Sequence, residues 1–243
     1  MSEEKKQKAP VDTDGLEQIK SIEGAIEAIL YAAGYPVKYE KIAEVLKKCV
    51  ADGVEVAIIV GAGNIWRGRS SGKMDRTCAD RMGMLATVIN SLAAKDAIIR
   101  AGGKAIVLTS TMMEPYAEYY TTDRAVEALT DGKIVIFAGG TGSPYFSTDT
   151  AGILRAIEIK ADVFLLAKNI DGIYDSDPRL GAANFLETVS YGEMMSMNLK
   201  GIDLTASAMG SEFGPEAFAF KLEDTDDILR AISGESRGTA ITK

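Results

Sequence analysis

Short β-branched and apolar runs recur along this chain, at Val54–Val60, Lys104–Thr109, Lys133–Ala138 and Asp162–Ala167, with a later one near Ala217–Phe220. Stretches of helical period lie between them, notably over Met82–Arg100 and Thr148–Ile159. Runs this apolar have no face to leave in water, so each reads as a strand covered on both sides. Strands of that kind alternating with helices predict an α/β fold, a mostly parallel sheet sandwiched between helices. Ligands in such sheets collect at the carboxyl ends of the strands, so the loops there are the places to look for chemistry.

The stretch ahead of this body reads differently. Residues 1–15 are polar and rich in Lys and Glu, which predicts a disordered arm. Leu16, Ile19, Ile22, Ile26, Ile29, Leu30 and Ala33 fall at helical spacing, with Gly34 and Pro36 as the stop. A second helix is expected from about Tyr39 to Val50, with Ile42, Val45, Leu46 and Cys49 facing inward. The expected organisation is therefore an N-terminal helical segment over 16–50 and one domain over 51–243.

Composition narrows the chemistry. The chain of 243 residues contains no histidine, which removes Ser-His-Asp and Cys-His catalysis, histidine-ligated zinc and a histidine general base. Phosphoryl transfer to an oxygen that is already anionic survives this filter, because it relies on positioning and charge stabilisation. The formal net charge of −8 argues against general nucleic-acid binding. Cys49 and Cys78 are too few for a disulfide framework and lack metal-ligand spacing. No uninterrupted apolar run approaches the ~20 residues that span a bilayer, and no cleavable signal pattern is present, so a cytoplasmic location is expected.

Three strand-end loops are unusual. "VAIIVGAGNIWRGR" ends a strand at Gly61-Ala62-Gly63, where backbone N–H groups can approach a ligand closely. A plain tight turn explains the glycines about as well, but Arg67, Arg69, Lys73, Arg76 and Arg81 then gather positive charge in one region of an acidic chain. Either this is a solvated helix face or it serves an anion. "GGTGSPYFSTDT" follows the Lys133–Ala138 strand with glycines and hydroxyls around two aromatics, and Thr148 and Asp149 can begin a helix whose N-terminus favours anions. As a bland reading, either of these two would be an ordinary N-cap. "KNIDGIYDSDP" is an Asp-Gly turn or an acidic cation site, and it fails the EF-hand pattern. No Walker A sequence occurs, and the first loop lacks the last glycine of a dinucleotide fingerprint.

From roughly Tyr39 to Lys243 the chain resembles bacterial UMP kinase, of the amino acid kinase superfamily. "GAGNIWRGR", "ADRMGMLATVIN", "AGGTGSPYFSTDT", "AKNIDGIYDSDP" and "RGTAIT" carry the resemblance. Five such segments in this order separate the family from relatives that phosphorylate aspartate, acetylglutamate, glutamate or carbamate. The resemblance implies ATP-dependent phosphorylation of UMP, with magnesium accompanying the ATP and a homohexamer as the assembly. It places Gly61 and Gly63 in the turn that cradles phosphates, Gly61 on the UMP side and Gly63 on the ATP side. Arg67 would reach the transferring phosphoryl group, and Asp80 would accept from the ribose hydroxyls of UMP. Thr141, Gly142, Ser143, Pro144, Tyr145, Phe146, Ser147 and Thr148 would wrap the uracil and its phosphate. Asn169, Tyr174 and Asp177 would hold ATP, with Asp149 organising magnesium or the phosphoryl group. Ala62 stands where the family has glycine.

The N-terminus departs from this pattern. The family opens with a strand running into a Lys-x-Ser-Gly turn that grips the ATP phosphates, and this chain reads as lacking that first strand. Residues 16 to 46 resemble instead the start of segregation and condensation protein B, a winged-helix protein. Two competing expectations follow: a UMP-binding protein with impaired turnover, and an interaction module built on residues 16–46.

Overall fold

The computed structural model describes residues 28–32, 39–66 and 74–243. Nine strands form one sheet in the order β4-β3-β5-β2-β1-β6-β10-β11-β9. They are β1 (Ala28–Ala32), β2 (Val56–Val60), β3 (Ala105–Thr109), β4 (Glu118–Tyr119), β5 (Ile134–Ala138), β6 (Val163–Lys168), β9 (Thr188–Ser190), β10 (Glu216–Lys221) and β11 (Gly238–Thr242). A separate hairpin pairs β7 (Ile173–Tyr174) with β8 (Phe185–Leu186). Neighbouring strands of the large sheet run parallel except β10 and β11, so the carboxyl ends of β1, β2, β3, β5 and β6 lie at one end. The helices are α1 (Tyr39–Ala51), α2 (Arg76–Arg100), α3 (Thr122–Thr130), α4 (Thr148–Ile159), α5 (Tyr191–Ser196), α6 (Leu204–Phe213) and α7 (Asp226–Ile232).

The apolar runs behave as their lack of polar alternation predicts. Successive side chains of a strand point to opposite faces, and here both faces are buried. Val56, Ile58, Ile134, Ile136, Val163 and Leu165 join one core with α1, α2 and α7. Their neighbours Ala57, Ile59, Val135, Phe137, Phe164 and Leu166 join a second core with α3, α4, α5 and α6. The α4 bounds coincide with the expected helix, and α1 buries Val45, Leu46 and Cys49 as expected. Burial pushes the Cys49 thiol up to about 11, so it is an inert packing group. On the second face Arg155 of α4 lies 3.8 Å over the Tyr120 ring and pairs with Glu158, bracing the entry to α3 against α4.

The reading of residues 28–32 as helix, and with it the expectation that the first strand is missing, is corrected by the sheet. Ala28–Ala32 is a strand, paired in register with Val56–Val60 on one side and Val163–Ala167 on the other. Five apolar residues fit either period, and only their place in the sheet decides between them. Without them β2 and β6 would each present an open edge. The rest of the expected first helix, 16–27, and the expected arm, 1–15, lie outside the described residues. Of the segment resembling segregation and condensation protein B, 28–32 and 39–46 are β1 and part of α1, packed into the same sheet and core as the rest.

Helix α2 is rich in Ala, Leu, Ile, Met and Val. One 18-residue window of it is apolar enough, by length and composition alone, to cross a membrane. Its Val88, Ala94, Ala97 and Ile98 face the core instead, as a helix covering a sheet requires. Its other side carries exposed Met82, Leu85 and Ile89, three and four residues apart on one stripe.

Candidate functional site

Glycine ends β2 as expected. The chain turns through Gly61-Ala62-Gly63, with Ile65 and Trp66 N–H both donating to the Ala62 carbonyl. Asn90 of α2 donates to the Gly61 carbonyl at 2.7 Å and pairs with Asn64, fixing the turn against the helix. Arg67, Arg69 and Lys73 lie outside the described residues.

The loop after β5 is the most elaborate part of the site. Gly139, Gly140 and Gly142 all have positive φ, and so does Tyr145, at +72°. Gly139 is fixed from both sides, its N–H donating to Thr87 Oγ1 at 2.8 Å and its carbonyl accepting from Ser110 Oγ at 2.7 Å. Thr141 and Ser143 close a tight turn through Thr141 Oγ1. Tyr145 and Phe146 are exposed, and the Tyr145 N–H donates to Asp80 Oδ2 at 2.8 Å. Asp80 sits on the first turns of α2 and also accepts from Arg76 Nε, 2.8 Å from both carboxylate oxygens. Arg76 in turn lies 5.4 Å from the centre of the Tyr145 ring. The structure thus joins Asp80 to the loop expected to hold uracil, across 65 residues of sequence.

The loop runs into α4 through Ser147, whose hydroxyl accepts from the Thr150 N–H at 3.1 Å. The cap is therefore Ser147, not Thr148 or Asp149. This leaves Asp149 in the first turn, where a carboxylate suits the positive end of the helix dipole. Its side chain meets Lys168 Nζ at 3.1 Å, at the end of β6. Behind the cap stands Asp203, which caps α6 through the Ala206 N–H at 3.0 Å and also accepts from the Ser147 and Thr150 hydroxyls. One carboxylate thereby ties the starts of two helices together.

The third group lies on the other side of Lys168. Asn169 is exposed just past β6. Tyr174 donates to Asp171 at 2.8 Å, and that bond holds its phenol above the ordinary tyrosine range. Asp177 accepts from the Arg179 guanidinium and backbone, which hold its carboxyl down to about 2. Tyr174 therefore lies in the β7–β8 hairpin and Asp177 in the segment joining its strands, with Asp177 turned to Arg179. Among the described residues no group of three or more His, Cys, Asp or Glu could hold a metal ion.

Thr87, Ser110, Asn90 and Asp203 were not singled out by sequence for these places. Asp203 carried one usable signal, an Asp immediately ahead of a helical run. The others act through partners 26 to 52 residues away, which no local pattern reports.

The profile of the amino acid kinase family matches residues 24–231. A protein named uridylate kinase from Bacteroides thetaiotaomicron is 41% identical over 221 residues, 88% of this chain and 94% of that one. Among solved structures, UMP kinase from Ureaplasma parvum aligns with a TM-score of 0.83 at 30% identity, covering 90% of this chain and 99% of its own. UMP kinase from Bacillus anthracis gives the same TM-score at 31% identity, over 90% and 96% of the two chains.

Proposed function

The chain belongs to the amino acid kinase family, and from that premise we propose that it transfers the terminal phosphoryl group of ATP to UMP, releasing UDP and ADP. The likeness to a uridylate kinase along nearly the whole of both chains carries this reading. The competing expectation of a UMP binder with impaired turnover rested on the absence of the Lys-x-Ser-Gly element that follows the family's first strand; β1 supplies a strand between β2 and β6, residues 33–38 after it lie outside the described residues, and the likeness to a uridylate kinase favours turnover. A coupled assay should find UDP formation that depends on UMP. CMP, AMP or acetylglutamate serving as acceptor while UMP does not would refute the reading.

The geometry supports roles for the expected residues. The glycine turn at Gly61 and Gly63 and the start of α4 at Thr148 offer backbone N–H groups to phosphates. Arg67, two residues past the Ile65 turn in sequence, would bring a guanidinium that can span two phosphate oxygens. Thr141 to Ser147 would enclose the uracil and its phosphate, with Tyr145 and Phe146 as its apolar surface. Asn169, Tyr174 and Asp177 would hold ATP on the β6–β7 side. The attacking UMP oxygen is already anionic, so the reaction needs no histidine base. Magnesium enters with ATP, since Mg²⁺ is commonly held by substrate phosphates with one or two carboxylates. Asp149 is such a carboxylate. Chelation with EDTA should stop UDP formation and leave UMP binding intact.

Asp80 would accept from the ribose hydroxyls. A carboxylate has about four lone-pair sites and can serve several donors at once. Asp80→Asn should weaken UMP binding by about 1–3 kcal/mol, because a charged acceptor is lost at two contacts together. Unchanged affinity by calorimetry would remove Asp80 from the site.

The exposed stripe of Met82, Leu85 and Ile89 supports a homo-oligomer in which a second copy covers α2, as in the hexamer that the resemblance implies. Ile89→Glu should lower the sedimenting mass, and an unchanged mass would place the contact elsewhere. A cytoplasmic location is inferred as well, supported by the likeness to a uridylate kinase.

A further inference from the structure

We propose that Asn90 is a positioning residue for the acceptor nucleotide: by holding the Gly61 carbonyl it aims the Ala62 N–H at the phosphate of UMP. This rests on the phosphoryl-transfer reading above. Asn90 is 5% exposed on the side of α2 that also buries Ala86, Ala94 and Ala97. A core excludes an amide of this kind unless it is bonded. Both of its donors go to the turn after β2, to the Gly61 carbonyl at 2.7 Å and to Asn64 Oδ1 at 2.8 Å. Its oxygen accepts from Asn64 Nδ2 at 3.3 Å. A carbonyl only accepts, so the amide atom that faces Gly61 is the nitrogen. Trp66 ties the same turn to the same helix, its indole N–H donating to the Ala79 carbonyl at 2.9 Å.

The consequence lies in the peptide unit that Asn90 holds. A trans peptide is planar, and its C=O and N–H point opposite ways. In β2, Ile58 joins the core shared with α2, and Ile59 joins the core shared with α4. The two helices therefore cover opposite faces of this strand. Asn90 draws the Gly61 carbonyl to the α2 side, which directs the Ala62 N–H to the α4 side. There α4 packs close, for a Cβ on Gly152 would stand 3.7 Å from Ile59 Cδ1. The loop from β5 leads into α4, so its first turn lies at the same end of the sheet as the Gly61 turn.

Gly61 has no side chain to hold this peptide plane in one orientation. Asn90 supplies the hold from outside the turn, across 29 residues of sequence. A donor fixed before the ligand arrives costs no reorganisation on binding, and it sets where the attacking phosphate oxygen stands.

The test compares the intact chain with Asn90→Leu, Ala62→Pro and the double variant, measuring UMP affinity by calorimetry, KM for each substrate and Tm. Ala62→Pro removes the N–H itself and should weaken UMP about 10–100-fold, the worth of a hydrogen bond to a charged group. Asn90→Leu keeps the volume but releases the peptide, and should weaken UMP at least about fivefold. KM for ATP should stay within about threefold in both. The double variant should bind within about twofold of Ala62→Pro, because Asn90 acts only through that N–H. Additive losses overturn the proposal, as does unchanged UMP affinity in either single variant. An Asn90 that merely braces α2 would lower Tm and leave the affinity of the folded chain unchanged, which also overturns it. Should Asn90→Leu fail to fold, Asn90→Ser, shorter by one atom, carries the same expectations. A parent that binds UMP with these losses in the variants but forms no UDP sinks the kinase reading and leaves this proposal standing. A parent that binds no UMP sinks both, and additive losses beside an active parent sink this proposal alone.

Discussion

Gly139→Ala is expected to cost about 3 kcal/mol of stability and at least about tenfold in UMP affinity. A φ of +79° costs a residue with a Cβ roughly 1–2 kcal/mol. The new methyl would also stand 2.5 Å from Ser110 Oγ and 3.0 Å from Thr109 Oγ1. Ser110 must then give up its bond to the Gly139 carbonyl, at about 1 kcal/mol. For a domain of this size each kcal/mol lowers Tm by roughly 2–4 °C, so a fall of about 6–12 °C is expected. Gly53→Ala separates the two causes. Gly53 has a similar φ of +89° with nothing within 4 Å of its would-be Cβ. That variant should show only the smaller backbone cost and bind UMP normally. Equal losses of affinity in both variants would mean that Gly139 is not the pivot of the acceptor loop.

Asp203→Ala should be at least as damaging, by about 3–4 kcal/mol, because its carboxylate serves the starts of two helices. It removes the α6 cap, worth about 1 kcal/mol, and strands the hydroxyls of Ser147 and Thr150. Thr150 is buried, so its hydroxyl finds no water in exchange, and each such group costs about 1–3 kcal/mol. Turnover per folded molecule should fall as well, because Ser147 caps the helix that carries Asp149. Asp203→Asn keeps an acceptor and should lie between the parent and Asp203→Ala. A Tm within about 2 °C of the parent for Asp203→Ala would show that the two helix starts are held by other contacts.

The layers of the fold were legible because continuous apolar strands and long periodic helices repeat their signal over many residues. Helix α4 shows this best, with expected and observed bounds alike at Thr148–Ile159. Strand β1 was misread because Ile29 and Leu30 fit a helical stripe running from Leu16 as well as they fit a strand. The hairpin β7–β8 and strand β4 are two residues per strand, too short for any period to register. In the site, loops rich in glycine and hydroxyls announced themselves by composition. What they touch did not. Asp80 meets Tyr145 across 65 positions and Ser147 meets Asp203 across 56, contacts that only the closed sheet brings about.

The position of β1 has a mechanical consequence. In the sheet order it is the strand that joins β4-β3-β5-β2 to β6-β10-β11-β9. The first half bears Asp80 and the loop proposed for uracil, and the second bears Lys168 and the hairpin proposed for ATP. Five residues therefore form the hydrogen-bonded seam between the proposed acceptor and donor sides. A change of twist there would alter the gap between the two nucleotides without touching either pocket. Loosening the seam would also split a single cooperative unit into two foldons, each able to open on its own.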